Sequence, residues 1–299
     1  MNMYLNYALL FVLSLLFQWG LIIYFRKKKA YQNIYELSPK THQNKQETPS
    51  FGGLGLLFSL WSFAFLFSLN QEILWLIAVF SSFASIGFID DMLALISKSN
   101  KGLSAKRKFM IQCIIALISL QSFSLIFTEL SLAEYLFYGF IMVGFSNATN
   151  LSDGLDGLLA GCSLITIMGF CILLLNQVHY SPILSFLIAL MISLFAFLVF
   201  NKYPAKIFMG DTGSLALGAT FAGIALLLDN ITLLLPLGAI YIIETASVIL
   251  QVGSYKLRKK RIFLMSPLHH HFELLGLKEP AIVLLFWGIS LTSLVLYLY

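Results

Sequence analysis

Residues 146–161 read Ser146-Asn147-Ala148-Thr149-Asn150-Leu151-Ser152-Asp153-Gly154-Leu155-Asp156-Gly157-Leu158-Leu159-Ala160-Gly161. This polar, acidic segment interrupts two runs that are almost wholly hydrophobic. In a soluble protein it is an ordinary surface loop. In a membrane protein, carboxylates at the end of a span are costly to place and are usually functional. The fold therefore turns on which solvent the chain folds in.

Composition answers that question. Of 299 residues, 59% are hydrophobic and 11% are charged, and mean hydropathy is +0.86. Average globular domains carry roughly 25% charged residues, so the deficit indicates a polytopic membrane protein, with one transmembrane bundle covering residues 1–299 as its single unit. Cys113, Cys162 and Cys171 all fall inside apolar runs, which suits small packing residues rather than a disulfide framework or a cysteine metal site. The first apolar run has no basic segment before it and no small-residue cleavage site after it, so it reads as a first span rather than a signal peptide.

Ten segments approach the roughly 20 apolar residues that a helical span needs: 4–25, 52–69, 73–89, 109–127, 132–146, 158–175, 181–200, 212–228, 231–253 and 280–299. They are long and unalternating, which favours an all-α bundle over barrel strands. Alternate connections then fall on opposite sides of the membrane. All 19 Lys and Arg lie in the first, third, seventh and ninth connections, at 26–51, 90–108, 201–211 and 254–279, on one side together with 147–157. A miscount of one helix would scatter them over both sides. The positive-inside rule puts that side in the cytoplasm and both termini outside.

Asp90, Asp91, Asp153, Asp156 and Asp211 then share the cytoplasmic face with His269, His270 and His271. Adjacent residues on a helix point about 100° apart, so Asp90 and Asp91 suit different tasks, one facing a site and the other capping or pairing with a lysine. If the segment starts a helix, Asp153 and Asp156 share a face and suit Mg²⁺, which takes one or two carboxylates with waters and phosphate oxygens; alternatively Asp153 caps the sixth span. Phe208-Met209-Gly210-Asp211-Thr212-Gly213-Ser214 opens the eighth span as an anion site or a simple N-cap. Thr48-Pro49-Ser50-Phe51-Gly52-Gly53, with Lys45 upstream, suits a phosphate cradle but is also ordinary loop composition. Consecutive histidines on a helix fan out, so 269–271 suits phosphate or sugar contacts better than zinc; His269 and Glu273 alone have zinc-compatible spacing. Glu244 lies in the ninth span, either as a functional acid or as the mark of a helix break before Gln251 and Gly253. The basic run Lys256–Arg261 is an orientation signal or an anionic-lipid contact, and cations that hug the membrane argue against nucleic acid as the partner.

Carboxylates, Mg²⁺, lysines and helix N-termini at a membrane face suit phosphoryl transfer between a soluble anionic substrate and a lipid. A transporter is the rival class. Acids clustered at one mouth, rather than strung along a path, favour the enzyme.

Asp90-Asp91, the segment Asn147–Gly157, Asn201 with Phe208-Met209-Gly210-Asp211, and Pro267-Leu268-His269-His270-His271-Phe272-Glu273 resemble the polyprenyl-phosphate N-acetylhexosamine-1-phosphate transferases. The histidine segment and the Thr-Pro-Ser-Phe-Gly-Gly loop are similar to the branch whose donor is UDP-MurNAc-pentapeptide, and argue against the sister branch using UDP-GlcNAc. The match covers nearly the whole chain in order. It implies ten transmembrane helices, a homodimer in the bacterial cytoplasmic (inner) membrane, and Mg²⁺-dependent transfer of phospho-MurNAc-pentapeptide to undecaprenyl phosphate, giving lipid I and UMP. By motif, the resemblance gives Asp211 to Mg²⁺, with Asp153 and Asp156 as further candidates. Asp90 goes to the lipid phosphate as base or positioner, with Asp91 assisting. Asn150, Asp153, Gly154, Leu155 and Asp156 line the nucleotide pocket, with Asn201 and Phe208 near the uracil. Lys45, Ser50, Lys106 or Lys108, Gln251, His269, His270 and His271 face phosphates and sugar. Glu47, Ser50, Ser152 and Ser266 stand where the family usually has Gly, Thr, Thr and Ala; the serines at 50 and 152 keep the hydroxyl, and Glu47 sets a negative charge beside Lys45.

Overall fold

The structure, a computed structural model, describes residues 3–29, 31, 48–97, 102–175, 177 and 181–299. Lys45 and Glu47 lie outside the described residues. The described residues form twelve α-helices: α1 (Met3–Lys27), α2 (Gly53–Leu66), α3 (Gln71–Ile96), α4 (Ala105–Ile126), α5 (Leu132–Leu151), α6 (Leu158–Leu174), α7 (Ser181–Asn201), α8 (Gly210–Leu227), α9 (Leu234–Leu237), α10 (Ala239–Arg258), α11 (Leu268–Leu274) and α12 (Glu279–Leu298). No strand occurs among the described residues. Among the described residues six helices are long and apolar enough to cross a membrane, or seven with the bent pair described below. The protein is a multi-pass membrane protein.

Three of the helices, α3, α4 and α5, start where the sequence supplies a side-chain acceptor. Asn70 Oδ1 accepts from Ile73 N–H at the start of α3, Ser104 caps α4, and Ser131 with Glu134 forms a capping box on α5. These caps satisfy backbone donors that helix geometry leaves open. α3 runs on past Asp90 and Asp91 to Ile96. At 26 residues it is about 39 Å long, more than the roughly 30 Å hydrocarbon core, so it exceeds the length of a span by more than a turn.

α8 is the axis of the bundle. Nearly every residue from Gly210 to Leu226 is buried, and α3 and α5 pack most extensively on it. Its small residues make that possible. A Cβ on Gly87 of α3 would strike the Asp211 carbonyl, one on Gly218 would strike the Phe145 carbonyl, and one on Gly53 would strike Gly213. Ser146 Oγ donates to the Leu215 carbonyl (3.0 Å) and Thr149 Oγ1 to the Ser214 carbonyl (2.7 Å), stitching α5 to α8. The outer face of α1 is the opposite case: Leu5, Val12, Leu16, Trp19 and Ile23 are exposed, as a lipid-facing stripe requires.

The ninth apolar run is not a straight span. The Ile231–Leu237 segment and α10 meet at an angle of 83°. Pro236 cannot donate to a helical ladder, and Gly238 leaves room for the Phe145 ring, which a Cβ would meet at 2.6 Å. The sequence offers Glu244 as the mark of a break, with Gln251 and Gly253 following; α10 passes through all three unbroken, and the break falls at Gly238. The bend also removes Glu244 from an isolated mid-span position and sets it beside His269.

Candidate active site

The N-terminus of α8 organises the site. Gly210 has φ +74°, and a Cβ there would meet Asp91 Oδ2 at 2.6 Å and the Ser50 carbonyl at 2.7 Å. Only glycine adopts that conformation at little cost with neighbours this close. Asp91 accepts from Asp211 N–H (3.1 Å), Thr212 N–H (3.1 Å) and the Thr212 hydroxyl (2.6 Å). Asp153 accepts from Gly210 N–H. The first donors of α8 thus serve the chain's own carboxylates. The expectation that they form a free anion site is corrected: their positive end is already met.

Asp90 and Asp91 diverge as adjacent helical residues must. Asp90 Oδ1 accepts from Leu103 N–H at 2.6 Å, and its Oδ2 lies 3.6 Å from Lys108 Nζ. The same Lys108 ammonium binds Asp211 Oδ2, while Asn150 Nδ2 donates to Asp211 Oδ1 at 2.7 Å and to Ser214 Oγ at 2.9 Å. Asp90, Lys108 and Asp211 form a partly exposed relay at the mouth of the bundle. Of the two candidate lysines, Lys108 enters this relay; Lys106 is exposed on the outer turn of α4.

Asp153 faces the same negative neighbours. Burial, reinforced by the charges of Asp211, Asp91 and Asp156, pushes its carboxyl well above the usual carboxylate range, with the Gly210 N–H pulling the other way. Among the described residues the cluster sets the Lys108 ammonium among the carboxyl oxygens of Asp90, Asp91, Asp153 and Asp211. That donor set fits Mg²⁺, whose coordination is commonly completed by water and substrate phosphates. Among the described residues no three His, Cys, Asp or Glu side chains converge as a preformed metal cage.

Residues 154–157 form a wall beside this cluster. Leu155 and Asp156 are buried. Asp156 Oδ2 accepts from Ala205 N–H (2.9 Å) and its own N–H donates to Glu279 Oε1 (2.7 Å). Asn201 Oδ1 accepts from Gly157 N–H (3.0 Å), and its Nδ2 donates to the Ile207 carbonyl (2.9 Å). Asn201 and Asp156 therefore lock the wall to the 201–208 loop. Asp153 does not cap α6: the position before that helix is Gly157 in a left-handed conformation. The 48–53 loop docks on the same edge, through Phe208 N–H to the Pro49 carbonyl and Gly52 N–H to the Phe208 carbonyl, both 2.8 Å. The Ser50 hydroxyl is buried there without a hydrogen-bond partner.

The three histidines fan out. His269 Nδ1 faces Glu244 Oε1 (3.2 Å), His270 Nδ1 faces Glu273 Oε2 (2.7 Å), and His271 Nδ1 accepts from Leu264 N–H (3.1 Å). Glu273 thus pairs with His270 and not with His269, which removes the zinc spacing. Gln251 was expected at the phosphates and sugar. Its Oε1 accepts from Ile262 N–H and Phe263 N–H and its Nε2 donates to the Phe263 carbonyl, so it clamps the loop leading to α11. Glu279, which holds the 154–157 wall, carried no sequence signal beyond its place at a helix start. Glu244 did carry one, as an acid inside an apolar run.

A family model described as glycosyl transferase family 4 matches residues 73–229, the stretch from α3 through α8 that supplies Asp90, Asp91, Lys108, Asn150, Asp153 and Asp211. The chain is 41% identical to a phospho-N-acetylmuramoyl-pentapeptide-transferase of Geobacillus thermodenitrificans, over 98% of this chain and 95% of that protein. It is 41% identical to one of Bacillus subtilis (97% and 94%) and 44% identical to one of Staphylococcus haemolyticus (90% and 89%). The chain belongs to the phospho-N-acetylmuramoyl-pentapeptide-transferase family. As a member of that family it is a transferase, and the transporter reading falls away. The full-length match also takes in α10 and α11, where the family model ends short and the histidine segment lies.

Proposed function

We propose that the protein transfers phospho-MurNAc-pentapeptide from UDP-MurNAc-pentapeptide to undecaprenyl phosphate, releasing UMP and leaving lipid I in the membrane. The observation that carries this reading is the Asp90–Lys108–Asp211 relay beside the 153–157 wall, on a chain that resembles named transferases over nearly its full length. It supports a cytoplasmic-face site in the bacterial inner membrane, on a bundle of ten spans, the ninth broken, with both termini outside. All the Lys and Arg then sit on the inner side, as the positive-inside rule requires. By resemblance the working unit is a homodimer.

In this reading the donor's uridine lies along the wall formed by Gly154, Leu155 and Asp156, with Phe208 at its edge. Asp156 and Asn201 act by holding that wall in place. Asp211 is the residue to hold Mg²⁺, aligned by Asn150; the ion would neutralise charge growing on the pyrophosphate. Asp153 and Asp156 are held by backbone N–H groups, whereas the partners of Asp211, Lys108 and Asn150, are side chains that can re-aim toward a phosphate. Lys108 adds positive charge at the same point. Asp90 faces the acceptor phosphate and orients its attacking oxygen. A phosphate oxyanion is already a nucleophile, so a strong base is not required. Asp91 supports the reaction through α8.

The test is Asp211→Asn in purified protein, with Mg²⁺, undecaprenyl phosphate and UDP-MurNAc-pentapeptide. UMP release should vanish at saturating Mg²⁺ while the protein stays folded. Near-normal turnover would remove Asp211 from the metal role.

A further inference from the structure

Glu244 has no part in the chemistry above, yet it is fully buried on α10. Its Oε2 accepts from Leu268 N–H (2.7 Å), and its Oε1 accepts from His269 N–H (3.3 Å) and faces His269 Nδ1 (3.2 Å). Both carboxylate oxygens thus act as acceptors toward backbone donors, and a carboxylate oxygen in that role offers an acceptor to the ring nitrogen facing it. Nδ1 of His269 therefore carries a proton, and in the neutral ring Nε2 is a bare acceptor. His269 is 1% exposed, and its Nε2 has no hydrogen-bond partner. That atom lies over Gly154, in the wall assigned to the nucleotide, where a side chain on residue 154 would overlap it. His271 is in the opposite state, since its Nδ1 accepts from a backbone N–H.

We propose that Glu244 is a positioning residue: it fixes His269 in the Nδ1–H tautomer, so that the Nε2 lone pair accepts a hydrogen from a hydroxyl or amide N–H of the nucleotide-sugar donor at Gly154. This rests on the phosphosugar-transfer reading. It assigns His269 and His271 different jobs, and it gives a role to an acid inside an apolar run. The same carboxylate joins α10 to the first turn of α11, so the ring's aim is set by the bend at Gly238.

The test uses full-length protein labelled with ¹⁵N in its histidine rings and held in lipid nanodiscs at a pH where the rings are neutral. His269 is assigned by the signals lost in His269→Asn. Without substrate, His269 should show a protonated Nδ1 and a bare Nε2, and His271 the reverse. Adding UDP-MurNAc-pentapeptide should move the His269 Nε2 signal as it gains a hydrogen bond. Glu244→Gln should abolish the Nδ1–H preference and lower UMP release about tenfold to a hundredfold. In a His269→Asn background the same change should cost nothing further. A wild-type His269 protonated on Nε2, an Nε2 signal unmoved by the donor, or losses that multiply in the double variant would overturn the assignment. The wild-type spectrum carries the test even where Glu244→Gln fails to fold. Absence of UMP release from the wild type would overturn the transfer reading alone, because the tautomer is read without turnover.

Discussion

Asp90 and Asp91 are neighbours in the chain with different tasks. Asp90 points at Lys108 and the mouth of the site, whereas Asp91 takes two backbone N–H groups and a hydroxyl at the start of α8. The two should therefore separate in experiment. Asp90→Asn should lower turnover by at least tenfold and leave the thermal midpoint almost unchanged. Asp91→Asn exchanges an acceptor for a donor that faces other donors, and should destabilise the protein by about 1–3 kcal/mol, read as a fall in its thermal midpoint. Equal stability of the two variants would contradict the division. The sequence showed that the pair must diverge, because helical geometry alone requires it. It did not show which acid faces which way, since that depends on α8, which lies 120 residues further along the chain. Lys108 against Lys106 was open for the same reason: both sit in the first turn of α4, and only the packing of α4 beside α3 selects one.

Among the elements, α8 and the α9–α10 bend do most to place the site. α8 approaches α3 and α5 closely because glycines stand at the crossings, and its first residue adopts a positive φ. Gly210→Ala should destabilise the protein by more than about 1 kcal/mol, since it combines an unfavourable φ with contact against Asp91. A thermal midpoint equal to the wild type's would contradict the geometry. Helix positions were legible in the sequence: each of the ten apolar runs contains a helix, because length and composition suffice for that. The bend was not. Pro236 and Gly238 lie within an otherwise unbroken apolar run, and the close contact of Gly238 with the Phe145 ring comes from α5, far off in the sequence. The extra helix α11 was also hidden, being short and placed by Glu244 rather than by its own periodicity.

At the scale of the whole molecule, the C-terminal ends of α3 and α5 and the N-terminal ends of α4 and α8 meet at one end of the bundle. The distribution of lysines and arginines gives the same grouping without any contact, because sidedness is a property of the whole chain. Single cysteines placed at Lys259 and at Asn230, in protein freed of Cys113, Cys162 and Cys171, should react with a membrane-impermeant reagent from opposite sides; reaction from the same side would overturn the topology. The measurement that bears most directly on the central claim is donor choice. Purified protein with Mg²⁺ and undecaprenyl phosphate is offered UDP-MurNAc-pentapeptide or UDP-GlcNAc, and UMP is assayed. The account predicts release with UDP-MurNAc-pentapeptide alone. Release with UDP-GlcNAc alone, or with neither from folded protein, would contradict it.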